Sequence, residues 1–114
     1  MGKYEMLTKH IDLFSVEEFQ SDECLEIMKN FVKDTRAFAE QNHLTGYSKI
    51  LDIYGINWDR ESMGKADATK LPADAICALL IGLVRAEEIF GGVLIDFLKK
   101  GIVQSWLVAL KTHE

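Results

Sequence analysis

The 114-residue chain has few of the residues that mark specialised protein classes. Its single proline excludes a proline-rich or collagen-like chain. Its two cysteines, Cys24 and Cys77, are too far apart for a CxxC motif, and we expect reduced thiols. The most apolar run, residues 75–84, is about half the roughly 20 residues that a membrane span needs. The first residues lack the apolar stretch of a secretory signal, so we expect a cytoplasmic protein without a membrane segment.

Positive charge is also scarce. Thirteen Lys and Arg stand against eighteen Asp and Glu, which gives a formal net charge of −5. Nucleic-acid binding depends on a basic face, and the longest basic run is only Lys99-Lys100. A helix-turn-helix around residues 44–65 ranks last among the hypotheses, because its second helix would bring Asp59 and Glu61 to phosphate. We expect no nucleic-acid partner.

Catalytic and metal-binding motifs are missing as well. There is no GxSxG nucleophile motif, no phosphate-binding P-loop and no dinucleotide fingerprint. His10, His43 and His113 have no spacing of three or four with each other or with a cysteine, which a zinc site on a helix would need. The sequence therefore predicts no metal and no cofactor, and it favours a protein that is not an enzyme.

What the sequence does contain is apolar residues at helical spacing. Apolar residues make up 48% and charged residues 27%, as in ordinary globular domains. Strand-like alternation is nearly absent. These patterns predict a single all-α domain over residues 1–114, a compact bundle of five or six helices without a sheet. Its central helix, about 72–90, starts at Pro72 and ends at Gly91-Gly92, and the 22–41 helix and two short C-terminal helices surround it.

Arg85 is the first candidate site residue, because it interrupts the most apolar helix and a charge there needs a partner. One hypothesis is an anion clamp at the Gly91-Gly92 corner, where the next helix's first amides point outward. It predicts a small anionic-ligand or hydrolase-like pocket formed by Arg85, Glu87, Gly92 and Asp96. The alternative is a structural ion pair of Arg85 with Asp67, Asp74 or Asp96.

The second candidate is the irregular stretch 56–71, which carries Trp58 and Arg60. Loops concentrate function, and exposed Trp and Arg are common interface anchors. The alternative is that Trp58 folds onto the core as a lid. We favour a non-catalytic interaction module that binds a protein partner or forms a homodimer through an apolar helix face or this loop.

Residues 47–110 also carry a resemblance. The residues that support it are Ile50-Leu51, Gly55-Ile56, Trp58, Ser62-Met63, Ala66-Asp67, Leu79, Arg85-Ala86-Glu87, Gly92, Leu94, Phe97, Gly101 and Trp106-Leu107. This block resembles a family of small bacterial helical proteins known only as a domain of unknown function. The resemblance implies an all-helical cytoplasmic protein and no assigned reaction. Residues 88–91 stand where that family has Arg, Phe, Cys and Asp, so no role of those residues carries over.

Overall fold

A computed structural model describes residues 4–10, 22–42 and 46–113. These residues form helices and no strand, as the all-α prediction required. Six of the helices have six or more residues. In chain order the elements are α1 (Glu5–Thr8), α2 (Asp22–Gln41), α3 (Tyr47–Ile53), α4 (Arg60–Lys65), a 3-10 turn (Ala68–Lys70), α5 (Ala73–Phe90), α6 (Val93–Lys99) and α7 (Ile102–Lys111).

The centre of the fold is α5, as the sequence predicted. Pro72 precedes it with φ −71°, and every residue from Ala75 to Val84 is buried. A helix that is apolar nearly all round must be covered on every side. The described helices α2, α3, α6 and α7 all pack against α5. Of these, α3 was not among the neighbours expected from the sequence, and its Leu51 is fully buried.

Glycines make the corner between α5 and α6. Gly91 and Gly92 adopt φ +68° and +80°, values that residues with a Cβ rarely take. The two residues reverse the chain and allow α6 to pack back against α5. This corner matters below because the candidate site is next to it.

The stretch 56–71 is more regular than its composition indicates. Asp59 accepts a hydrogen bond from the backbone nitrogen of Ser62 at 2.6 Å and so caps α4. Asp67 accepts one from Thr69 in the same way at the 3-10 turn. Two aspartate caps therefore divide the predicted loop into short helical segments, and Met63 becomes part of the core.

Candidate functional site

Arg85 lies where the buried run of α5 ends, and its side chain is exposed. Its Nη1 is 3.0 Å from Oε2 of Glu88, one helical turn further on. Arg36 of α2 donates to the other oxygen of the same carboxylate. Among the described residues, one carboxylate thus joins two guanidinium groups and connects α2 to α5.

The prediction that Arg85 pairs with Asp67, Asp74 or Asp96 was therefore wrong. The side chains of those three aspartates make other contacts: Asp67 accepts from Thr69, Asp74 from the nitrogen of Ala75, and Asp96 pairs with Lys100 at 3.2 Å. Each of these contacts is local in sequence, as is the pairing of Arg85 with Glu88. The two pairs within helices, Arg85 with Glu88 and Asp96 with Lys100, have the spacings of three and four at which side chains meet on a helix.

Glu87 occupies the place proposed for an external anion. Its two carboxylate oxygens accept hydrogen bonds from the backbone nitrogens of Gly92, at 3.0 Å, and Leu94, at 2.9 Å. The first amides of a helix have no partner within the helix and favour a negative charge. The chain thus supplies its own anion to the start of α6.

The four predicted ligand residues do not come together in one hollow. Arg85 borders a hollow between α2 and α5, beside Arg36 and Tyr47. Glu87 and Gly92 border a different one, between α2 and α6, beside Met28. Asp96 pairs with Lys100 along α6. The geometry gives no shared pocket to the proposed set.

Trp58 packs against the central helix. Its Nε1 donates a hydrogen bond to the carbonyl oxygen of Gly82 at 2.9 Å, and its ring lies 6.1 Å from that of Tyr47. A Cβ atom at position 82 would lie 3.1 Å from Cδ1 of Trp58, so glycine permits this close approach. The backbone of Arg60 begins α4, and its side chain lies outside the described part of the structure.

A cavity of about 450 Å³ lies beneath Trp58. Three segments form its wall: the start of α4, the last turns of α5 and the start of α6. The lining residues are Trp58, Asp59, Met63, Leu83, Ala86, Phe90, Gly91, Val93 and Phe97. Its volume is in the range of about 300–1,000 Å³ that is typical of ligand pockets, which are mostly apolar with few polar groups.

The rim of this cavity carries an exposed aromatic side chain. Phe90, the last residue of α5, is 70% exposed, and Ile89 beside it is 54% exposed. Exposure of large apolar side chains to water is unfavourable in free energy. We call the ring of Phe90 together with the cavity that it borders the Phe90 surface.

The described residues also contain a part-buried hydrogen bond between a histidine and a carboxylate that sequence reasoning missed. His10 is 1% exposed, and its Nε2 lies 2.9 Å from Oδ2 of Asp34 on α2. Lys9 approaches the same oxygen at 3.0 Å. The imidazole stands edge-on to the ring of Phe31. Positions 10 and 34 share no local spacing, so only the docking of α1 onto α2 brings them together.

Burial sets the protonation of this pair. Loss of solvent lowers the pKa of His10, and the hydrogen bond and negative charge of Asp34 oppose that shift only in part. Burial alone would raise the pKa of Asp34, but hydrogen bonds from His10 and Lys9 outweigh it and lower the pKa. The lowered pKa favours the neutral imidazole near pH 7, and the buried ring packs against Phe31.

Three comparisons with known proteins found no match to this chain. No protein-family model, no curated protein and no solved structure matches the chain. The resemblance over residues 47–110 thus remains a hypothesis from the sequence. In the described part of the chain, no helix combines the length and apolar character needed to cross a membrane. Nor do three or more His, Cys, Asp or Glu side chains in that part come together as a metal-binding group would.

Proposed function

We propose that this protein is a non-catalytic protein–protein interaction module and that its partner binds at the Phe90 surface. The single observation that carries the proposal is the exposure of Phe90, 70%, beside a largely apolar cavity at the end of α5. Interfaces commonly centre on a few aromatic anchors next to pockets. The cytoplasmic location and the bacterial origin that we include in the proposal rest on the sequence alone.

Trp58 has a different role in this proposal from the one expected from the sequence. It is half-buried and bonded to Gly82, so it supports the wall of the cavity rather than projecting toward a partner. Phe90 replaces it as the projecting anchor. The weaker candidate, an anionic-ligand pocket, lacks support because Arg85 and Glu87 border different hollows.

Peptide display tests the proposal without a known partner. Random 12-residue peptides are selected on the wild-type protein, and their affinities are then measured for two variants. Phe90→Asp places a charge on the Phe90 surface. Ile53→Asp is the matched control, because Ile53 is 75% exposed on α3 and borders no part of the cavity.

The proposal predicts peptides that bind wild type and Ile53→Asp equally and lose about tenfold or more in affinity with Phe90→Asp. Circular dichroism melts of both variants should match wild type, since both positions are exposed. Peptides that bind all three proteins equally, or a selection that enriches none, would overturn the proposal. Light scattering in parallel shows whether the partner is a second copy.

A further inference from the structure

One negatively charged side chain, Asp59, lines the described part of the Phe90 surface. Among the described side chains that line the cavity, only Asp59 is ionisable, and it is exposed. The last turn of α5, which reaches the cavity wall at Phe90, contains no basic residue. These features add to the net charge of −5 for the whole chain.

The apolar part of the cavity is aromatic in character. The rings of Trp58, Phe90 and Phe97 contribute to its wall, and Met63 adds a thioether. Aromatic rings favour edge or offset contacts with another ring, and methionine sulfur also contacts rings favourably. The face of an aromatic ring attracts a cation as well, most strongly for tryptophan. The wall therefore favours an aromatic group that has positive charge close to it.

We infer that the partner of the Phe90 surface is a basic peptide segment, in which an aromatic side chain fills the cavity and a neighbouring Lys or Arg approaches Asp59. The inference rests on the proposed function and names the chemistry of the partner at the same surface. Charge complementarity of this kind raises the association rate and selects against acidic partners.

A second copy of the chain has the wrong charge for this role. In a two-fold dimer, Phe90 of each copy would enter the cavity of the other. The last turn of α5, which such a dimer would bring toward Asp59 of the other copy, has no basic side chain to pair with it. Two chains of net charge −5 also repel each other.

Three synthetic peptides of one design test the inference. Each has 12 residues with a central Phe and a fluorescent label, and three residues around the Phe are Lys, Gln or Glu. Fluorescence anisotropy measures their affinities for wild type, Phe90→Asp, Asp59→Asn and Asp52→Asn. Asn caps a helix as well as Asp does, so Asp59→Asn removes the charge and keeps the start of α4. Asp52, exposed on α3, provides the control with the same loss of charge.

The expected order of affinity for wild type is Lys peptide, then Gln peptide, then Glu peptide, with about tenfold or more between the first and last at low salt. The difference should shrink in 0.5 M salt and in Asp59→Asn, and it should persist in Asp52→Asn. Phe90→Asp should weaken binding of the Gln peptide, which measures the apolar contact alone.

Other outcomes would overturn the inference or both proposals. Equal binding of the three peptides, with loss in Phe90→Asp, overturns the inference and leaves the proposed function intact. A preference for Lys that falls equally in Asp59→Asn and Asp52→Asn also overturns it, because overall charge would then explain the preference. A wild-type protein that is a dimer by light scattering, and a monomer as Phe90→Asp, identifies a second copy as the occupant and overturns it too. If no peptide binds, both proposals fail.

Discussion

Oε1 of Glu87 lies 2.9 Å from the backbone nitrogen of Leu94, so a side chain of α5 accepts a hydrogen bond from the first turn of α6. The other oxygen accepts from Gly92 at 3.0 Å. The carboxylate thereby fixes the corner at which the cavity opens. Because α6 has only seven residues, its orientation depends on contacts of this kind as well as on its buried side chains.

Glu87→Gln should lower the free energy of unfolding by about 1 kcal/mol, because a neutral amide accepts more weakly than a carboxylate and no longer complements the helix dipole. Urea denaturation at pH 7 measures the change. Glu40→Gln, on the exposed side of α2, is the control and should change stability little. Equal stability of Glu87→Gln and wild type would show that the two hydrogen bonds do not hold the corner.

The contact between Trp58 and Gly82 predicts a substitution whose effect depends on its background. In wild type, Gly82→Ala should destabilise by about 1–2 kcal/mol, because the added methyl crowds Trp58 by more than the helix gains from alanine. In a Trp58→Ala background the crowding is gone, and the same substitution should stabilise by up to about 1 kcal/mol. A double-mutant cycle by urea denaturation measures both values. The same sign in both backgrounds would contradict the contact.

Stability should fall as the pH drops below about 6.5, through His10. Its folded pKa is lower than the unfolded value, so the unfolded state binds the proton more readily and the stabilisation is complete only above 6.5. The pKa of Asp34 is lowered too, which adds a second loss as the pH falls below about 3.8.

Thermal melts between pH 7.5 and 5 measure the first of these losses. His10→Gln should lower stability at pH 7.5 and flatten the dependence of stability on pH. A slope that is unchanged in His10→Gln would show that another group binds the proton.

Arg85→Ala should fold with a stability within about 1 kcal/mol of wild type, because Arg85 is exposed and Arg36 still pairs with Glu88. Urea denaturation and far-ultraviolet circular dichroism check both points. Loss of the fold would mean that Arg85 carries a buried structural charge, which the exposed pair in this structure does not indicate.

More of the fold than of the candidate site could be predicted from the sequence. Pro72, the apolar run of α5 and the glycine corner are local signals, and they located the central helix to within one residue at each end. The site depends on contacts between residues distant in sequence. No spacing connects His10 with Asp34, or Arg36 with Glu88, before α1, α2 and α5 are packed together.

Phe90 is a single-residue example of the same limit on prediction from the sequence. Its sequence neighbours place it at the end of an apolar helix, where an apolar residue is usually read as part of the core. Whether it is covered depends on where α6 turns after Gly92, and the structure leaves it 70% exposed.

Amide chemical-shift mapping tests the central claim, binding at the Phe90 surface, most directly. Uniformly ¹⁵N-labelled protein is titrated with the Lys peptide, and the shift of each assigned amide is followed. The account predicts that the largest changes fall at residues 58–63 and 83–97, which surround the cavity, and that they vanish in Phe90→Asp. Largest changes elsewhere, on α3 or α7 for example, or a pattern unaltered in Phe90→Asp, would contradict it.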